Sequence, residues 1–364
     1  NDKKPAFIWI NNNKGEIMNK LTKVGLSALA GSLAVVSANA SEYSVTGDTQ
    51  VVFSSAEGNE SGAAGSNGKG YGVDTDIYFT ASGELDNGFT VSVFSAMDME
   101  QANTATSGGL NSSAQMTIGM GSLGTVQFND VSGSAANAID DVLPKAYEEV
   151  WDGTTHTATN HSFGSSTQSG SVDYRTPAFS LMGFDLSATY TYDPNAGAGP
   201  ASAGGVGGNS QSGEAFTAKV SGMGFTVGAG SEEMNQASQS SGAQKTRRNT
   251  GYVLYSNGPV SIGYQEFYND NGFASAGTET PDTEGDGFGI AVSQDNYSIS
   301  YSEVNEQTKA VSDTAALEEV EMSAIQGTYT MGAMTLGISM YETDNPEGAT
   351  GKYEETELSV SFAF

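Results

Sequence analysis

The sequence contains no cysteine, only two histidines, and few basic residues. The lack of cysteine excludes disulfide bonds and thiol chemistry. Fourteen Lys and Arg stand against 43 Asp and Glu, giving a formal net charge of -29. Nucleic acid is therefore excluded as a partner, because its phosphates would be repelled. The low apolar fraction of 37% argues against a large solid core.

What the sequence has in quantity is glycine and aromatic side chains, with 47 Gly, 16 Tyr and 16 Phe. Such a composition suits many short strands better than helices. The aromatic residues recur too regularly for a disordered chain.

The N-terminal part divides into three expected segments. Residues 1–17 precede an internal methionine, Met18, and we interpret them as an upstream artefact of gene calling. Residues 18–40 have the pattern of a signal peptide, with Lys20 and Lys23 before an apolar stretch and an A-x-A site ending at Ala40. The apolar stretch is too short to span a bilayer as a mature helix. We predict cleavage after Ala40 and a mature chain of residues 41–364.

From residue 41 onward, alternating strands are separated by tight turns and long polar stretches. Seven tight turns occur at 86–88, 122–124, 182–183, 223–224, 257–259, 295–296 and 332–333. Eight longer polar stretches cover 55–71, 98–113, 131–169, 193–212, 232–248, 269–285, 306–320 and 344–353. Fifteen connections predict about sixteen strands and an all-β, antiparallel transmembrane barrel with short periplasmic turns and long external loops. Aromatic residues directly after four turns, Phe89, Phe184, Phe225 and Tyr297, would form part of an interfacial girdle.

The last strand ends the sequence on an aromatic residue. Leu358, Val360, Phe362 and Phe364 share one face by alternation. This pattern resembles the C-terminal assembly signal of bacterial outer-membrane barrels, the alternative being a terminal strand of an ordinary sandwich.

Taken together, residues 41–364 resemble the trimeric sixteen-stranded general diffusion porins of Gram-negative bacteria, most closely the alphaproteobacterial type. The resemblance implies passive diffusion of small hydrophilic solutes and ions, without a cofactor, through a pore narrowed by the third external loop. It also implies a homotrimer in the outer membrane, in contact with lipid and lipopolysaccharide and inserted by the β-barrel assembly machinery.

The stretch that corresponds to the third loop is the longest connection, residues 131–169. The resemblance implies that its acids, Asp140, Asp141, Glu148, Glu149 and Asp152, form a constriction opposite basic residues of the wall. In this sequence the basic set is thin, with Arg175 and Lys219 pointing inward by alternation. The same alternation predicts a lumen lining of Asp48, Asp74, Asp76, Asp173, Asp185, Glu355 and Glu357, which favours cations.

Two further sets of residues, four acids and two histidines, are weighed as candidate metal ligands. Glu279, Asp282, Glu284 and Asp286 could hold Ca²⁺ on an external loop, although their spacing is not that of an EF-hand and a solvated acidic loop is the alternative. His156 and His161 lack the pattern of a ligand pair. Lys245, Arg247 and Arg248 could contact lipopolysaccharide phosphates or be solvated.

Three alternative functions are weighed against the porin interpretation. No nucleophile elbow, P-loop or Ser–His arrangement supports an enzyme. A secreted acidic calcium-binding β-adhesin would show nonapeptide repeats, which are absent from the sequence. A substrate-specific channel on the same barrel stays open, because one fold hosts several functions.

Overall fold

The computed structural model describes residues 42–58, 67–99, 111–130, 133–153, 163–165, 167, 170–194, 212–235, 245–275, 278–279, 281–309 and 317–364. The expected segments 1–17 and 18–40 lie outside these residues. No helix within the described ranges is long and apolar enough to cross a membrane. The helical elements described there are single 3₁₀ turns at Gly121–Leu123, Asn137–Ile139 and Pro346–Gly348.

Sixteen antiparallel strands form one closed barrel, as the sequence predicts. They are β1 Glu42–Gly58, β2 Gly68–Glu84, β3 Thr90–Asp98, β4 Asn111–Gly119, β5 Thr125–Asp130, β6 in two segments Val172–Arg175 and Phe179–Leu181, β7 Phe184–Asp193, β8 Ser212–Gly222, β9 Phe225–Asn235, β10 Thr246–Asn257, β11 Val260–Asp270, β12 Thr283–Gln294, β13 Tyr297–Thr308, β14 Val320–Met331, β15 Met334–Asp344 and β16 Lys352–Ala363. Each strand pairs with the next, and β16 pairs with β1 to close the sheet. A separate two-stranded hairpin joins Phe273–Ser275 to Thr278–Glu279 between β11 and β12.

The two faces of the barrel differ in chemistry. Outward positions carry exposed apolar side chains such as Phe53, Val93 and Ile325, whereas inward positions carry buried polar ones such as Gln50 and Gln326. This apolar-out, polar-in alternation is the reverse of a soluble fold and is the pattern of a barrel surrounded by lipid. The core described here therefore lies in the lumen, between the inner strand faces and the third loop.

All seven predicted tight turns join the strand pairs expected. At the β6–β7 and β8–β9 turns, Met182 and Met223 have φ of 54° and 55°, and the glycine after each also has positive φ. Two-residue hairpins of type I′ need positive φ at both central residues, which explains this otherwise unfavourable conformation of methionine. At the end of the barrel away from the tight turns, the strands extend further than the sequence pattern predicts, since β1 continues to Gly58 and β9 to Asn235. Backbone pairing there continues past the point where apolar alternation ends.

Strand β6 is interrupted at Thr176, Pro177 and Ala178. Proline has no backbone N–H to give to the ladder and so breaks a strand in the middle of a sheet. Thr176 compensates in part, because its Oγ1 accepts the Ala188 N–H at 3.0 Å and its own N–H donates to the Ala188 carbonyl at 2.9 Å. The barrel therefore stays closed across the interruption.

Candidate functional site: the third loop and the lumen wall

The connection between β5 and β6, called the third loop below, lies inside the barrel. Its described residues contact inward-facing residues of strands from β8 through β15 and of β1. Glycines on those strands make room for it. At Gly263, for example, a β-carbon would lie 2.6 Å from Pro144 Cδ, so only glycine allows the loop to pass at that height. The other inward glycines next to loop atoms are Gly230, Gly287, Gly289 and Gly337.

Side chains of the wall hold the loop mainly through its backbone. Gln265 Oε1 accepts the Val142 N–H at 3.0 Å, while Gln265 Nε2 donates to the Ile139 carbonyl at 2.9 Å. Gln326 does the same further along, accepting from Tyr147 N at 3.1 Å and donating to the Glu148 carbonyl at 2.7 Å.

Two further wall side chains complete this set. Ser300 Oγ accepts the Ala146 N–H at 2.8 Å, and Gln50 on β1 donates to the Tyr147 hydroxyl at 2.5 Å. Because these partners are spread around the inner face from β11 to β1, they fix both the height and the direction of the loop.

Apolar side chains anchor the loop at two places. Near its middle, Leu143, Val150 and Trp151 pack with Val304, Val320, Met322, Ala324 and Tyr341 of the wall. At the other anchor, Phe163 is 1% exposed and packs with Ala136, Ala215 and Ile139. Burial of these large side chains stabilises the loop in the lumen by about 1.5–3 kcal/mol each.

Lys145 is the cation that the structure places against the loop acids. Its Nζ lies 2.5 Å from Asp141 Oδ2 and 2.7 Å from Glu149 Oε1, and Glu149 Oε2 also accepts from Trp151 Nε1 at 3.1 Å. Burial acts to lower the Lys145 pKa, but the two carboxylates outweigh burial and raise that pKa above its ordinary value. Lys145 thus offsets one of the two negative charges of these predicted constriction acids within the loop itself.

The remaining loop acids have different environments. Glu148 is 3% exposed, and its Oε2 accepts the Tyr341 hydroxyl at 3.2 Å. Asp140 is half-buried and accepts the Asp141 N–H at 2.8 Å. Burial, followed by the charges of Glu149 and Asp141, raises the pKa of the Asp140 carboxyl well above its ordinary value. Asp152 is exposed and accepts the Glu149 N–H at 3.0 Å.

Of the two predicted basic residues, neither is the partner of Asp141 or Glu149 in the contacts described. Arg175 Nη2 lies 3.6 Å from Asp173 Oδ2, on its own strand. Lys219 on β8 is exposed at an inward position. Lys145 could not be assigned from the sequence, because a lysine inside an acidic loop has no strand alternation to show its direction.

The predicted lumen acids all lie at inward-facing positions of their strands, and they fall into two groups. The first group consists of Asp173, Asp185, Glu355 and Glu357. Asp173 is fully buried, where its Oδ1 accepts from Thr191 at 2.6 Å and its Oδ2 from Ala135 N at 2.8 Å. It therefore fixes the start of the third loop rather than lining the water. Asp185, Glu355 and Glu357 remain at least partly accessible.

The second group is an acidic patch on β1, β2 and β3. The patch consists of Asp48, Asp74 and Asp76, which were predicted, and Asp98, which was not. Asp48 stands opposite Asp76 in the β1–β2 register, and Asp76 stands opposite Asp98 in the β2–β3 register. Four carboxylates on three neighbouring strands make this part of the inner wall strongly negative.

A buried ion pair ties the far end of the third loop to the wall. Arg248 Nη1 lies 3.1 Å from Glu232 Oε2, and the same carboxylate accepts from Gly164 N at 3.0 Å and, through Oε1, from Thr167 Oγ1 at 3.1 Å. Sequence proximity alone groups Arg248 with Lys245 and Arg247 in a basic patch of a loop. Strand alternation divides this patch between the two faces of the barrel. Lys245 and Arg247 both pair with Glu233 on the outer face, with 3.0 Å between Arg247 Nε and Glu233 Oε2, whereas Arg248 points inward.

Two of the external acids predicted for calcium, Asp282 and Glu284, have protein partners. Asp282 accepts from Tyr268 at 3.1 Å and from Asn271 N at 3.2 Å, and Glu284 pairs with Lys309 at 2.6 Å. Asp286 faces outward on β12. The side chain of Glu279 and both histidines, His156 and His161, lie outside the described residues.

The predicted assembly residues lie on the outer face of the closing strand. Leu358, Phe362 and Phe364 are 56%, 45% and 54% exposed. Beyond the end of β16, Phe364 and Gly47 exchange two backbone hydrogen bonds, of 2.7 and 2.8 Å. At the tight turns, which lie at the same end of the barrel as Phe364, rings of the predicted girdle pair with neighbours, as Phe225 does with Tyr255 at a centroid distance of 4.5 Å.

Comparisons with known proteins agree with this architecture. The model of the Gram-negative porin family matches residues 25–364. Among solved structures, OmpF of Salmonella typhi superposes with a TM-score of 0.62 at 12% identity, covering 89% of this chain and 98% of that one. An anion-selective porin from Comamonas acidovorans gives 0.59 at 12% identity, covering 89% and 100%.

OmpT of Vibrio cholerae lacking loop L8 gives a TM-score of 0.63 at 8% identity, covering 89% of this chain and 99% of that one. Identities this low establish a shared fold only. No curated protein matches the sequence. The family match extends over nearly the whole chain, including every strand of the barrel, and this chain therefore belongs to the Gram-negative porin family.

Proposed function

We propose that the chain forms a cation-preferring, water-filled pore for passive diffusion of small hydrophilic solutes across the outer membrane, as a homotrimer. Family membership supports a channel rather than an enzyme. The observation that carries the ion preference is the acidic patch of Asp48, Asp74, Asp76 and Asp98 on the inner wall. Carboxylates lining a pore attract cations and repel anions.

The fold alone does not determine the sign of the preferred ion, since a neighbour with the same architecture is described as anion-selective. The sign of the preferred ion therefore depends on the charged side chains of this chain. Within the third loop, Lys145 offsets one of the two negative charges of Asp141 and Glu149, so these acids contribute less than a count of carboxylates would suggest. The wall acids are the larger contribution, and Lys219 and Arg175 only moderate it.

The test is the zero-current potential of the purified protein in a planar bilayer between two KCl concentrations. We expect a potential of cation sign at low salt, which weakens as the Debye length falls from about 10 Å at 0.1 M to about 3 Å at 1 M. A potential of anion sign at low salt contradicts the proposal.

Solute range is tested separately, by swelling of liposomes in sugars of increasing size. A smooth size cutoff supports general diffusion, whereas one sugar that passes far ahead of its size class supports the substrate-specific alternative. Within the described part of the barrel, the stacked pair of Tyr78 and Phe94 on the inner face, whose centroids are 6.1 Å apart, favours the alternative. Deletion of residues 136–150 should raise the cutoff, because it removes the central part of the loop.

The surroundings of the barrel follow from the same proposal. Its exposed apolar outer face fits outer-membrane lipid, and the exposed Phe364 fits recognition by the β-barrel assembly machinery. Lipopolysaccharide would contact the external rim, where Lys245 and Arg247 lie. Calcium on the external loops stays a prediction, and chelation followed by gel analysis of the trimer tests it.

A further inference from the structure

Three carboxylates of the inner wall converge on one point. One oxygen each from Asp74, Asp76 and Asp98 lies within 4.8 Å of the other two. Asp74 and Asp76 are two residues apart on β2 and so share its inner face, and the register places Asp98 of β3 directly opposite Asp76. Strand pairing, rather than a flexible loop, holds this cluster in place.

Asp76 supplies an independent observation. Its side chain is only 2% exposed, and while Oδ2 accepts the Tyr78 hydroxyl at 3.2 Å, Oδ1 is buried with no hydrogen-bond partner among the described residues. A buried carboxylate oxygen without a partner costs free energy, and the cost grows when other carboxylates are close. Among the described residues, no donor therefore reaches Asp76 Oδ1, which leaves this oxygen available to a cation.

We propose that Asp74, Asp76 and Asp98 bind a calcium ion on the lumen wall. Calcium takes carboxylate oxygens at about 2.3–2.6 Å in flexible geometry, so two oxygens on one ion are at most about 5 Å apart. The three oxygens already satisfy this limit without movement of the backbone. Water from the pore would complete the six to eight ligands that calcium prefers.

The ion would change the pore as well as the wall. It places two positive charges in the acidic patch on which the proposed cation preference rests, so calcium should lower that preference. This effect depends on the proposed function, whereas binding itself does not. The two can therefore fail separately.

Binding is measured by calorimetric titration of calcium into the purified full-length protein in detergent, after treatment with a chelator. We expect Asp76→Asn and Asp98→Asn each to weaken calcium binding by at least about tenfold, because affinity follows the number of charged ligands. Asp286→Asn is the matched control, since it removes one carboxylate from the external candidate site and leaves the lumen cluster intact.

A heat-modifiable band on a gel shows whether each variant has folded. Wild-type affinity in both lumen variants, no calcium binding by the wild type, or a loss confined to Asp286→Asn overturns the proposal. The bilayer potential gives the second readout. Calcium should lower the cation preference of the wild type and of Asp286→Asn more than that of Asp76→Asn, and an equal effect in all three would mean general screening and overturn the site.

Discussion

Glu232 and Arg248 form an ion pair across β9 and β10 in which the carboxylate is 1% exposed and also holds two residues of the third loop. The pair thus links the barrel wall to the far end of the loop, through Gly164 and Thr167. Loss of the carboxylate would leave a buried guanidinium group and two loop donors without this acceptor.

We expect Glu232→Ala to destabilise the folded protein by about 3–5 kcal/mol, the usual cost of removing one partner of a buried pair. The neighbouring Glu233 is the matched control, because it pairs with Lys245 and Arg247 on the outer face and should cost at most about 1 kcal/mol. Denaturant unfolding followed by tryptophan fluorescence measures both. Equal losses would show that the loop is not held at this point.

Lys145→Met should release the middle of the third loop. Without the ammonium group, the buried Asp141 and Glu149 carboxylates are left facing each other, which is unfavourable at low dielectric. We expect larger fluctuations of single-channel current and a higher sugar size cutoff. Lys219→Met removes the same group from an exposed inward position and should leave the cutoff unchanged, so a shift in that control would contradict the assignment.

Gly263→Ala should displace the loop by crowding. The new methyl group would lie 2.6 Å from Pro144 Cδ, too close for an ordinary contact, and overpacking of this kind costs about 1–3 kcal/mol. Single-channel conductance should change accordingly. Gly251→Ala, where nothing lies within 4 Å of the added carbon, is expected to behave as the wild type.

The stability and the charge of the third loop should depend on pH through the titration of Asp140. The pKa of its carboxyl is higher in the folded protein than in the unfolded chain, so its contribution to stability is complete below the unfolded value and is lost as pH rises through the folded one. Over the same interval the loop gains a negative charge, and cation preference should rise.

Asp140→Asn removes this titration, so the bilayer potential of the variant should change less with pH than that of the wild type. Asp152→Asn is the control from an exposed loop acid and should keep the wild-type dependence. Identical pH curves for the wild type and Asp140→Asn would contradict the prediction.

Deletion of Phe364 should impair assembly of the barrel. It removes both backbone hydrogen bonds to Gly47 and an outward aromatic ring, so unfolded chain is expected to accumulate in the periplasm. Heat-modifiability on a gel reports the folded form. Phe364→Leu keeps the backbone bonds and separates the two contributions, and normal trimer from the deleted chain would refute the prediction.

Most of the fold could be predicted from the sequence because strand alternation and turn chemistry are local. Asp48, Asp74 and Asp76 were assigned to the inner face by parity alone, and the structure places them there. Asp98 was overlooked because it lies at the boundary between β3 and a long polar stretch, where alternation stops.

The interior contacts could not be predicted, since they join residues far apart in sequence. Gln265 and Gln326 look like ordinary polar lining until the loop is seen against them. Lys145 pairs with acids four residues away on each side, but outside a helix that spacing does not imply contact. Glu232 and Glu233 are chemically identical neighbours, and only the register of β9 separates the buried one from the exposed one.

The wall holds the third loop largely by its peptide groups, through Gln265, Gln326 and Ser300. Such bonds form with any residue except proline at the donor positions, so loop side chains outside the two apolar anchors can change without loss of these attachments. The charge and size of those other loop side chains can therefore vary while the position of the loop in the lumen stays the same. For protein engineering, those loop positions are the place to change the selectivity of the pore, because substitutions there require no redesign of the barrel.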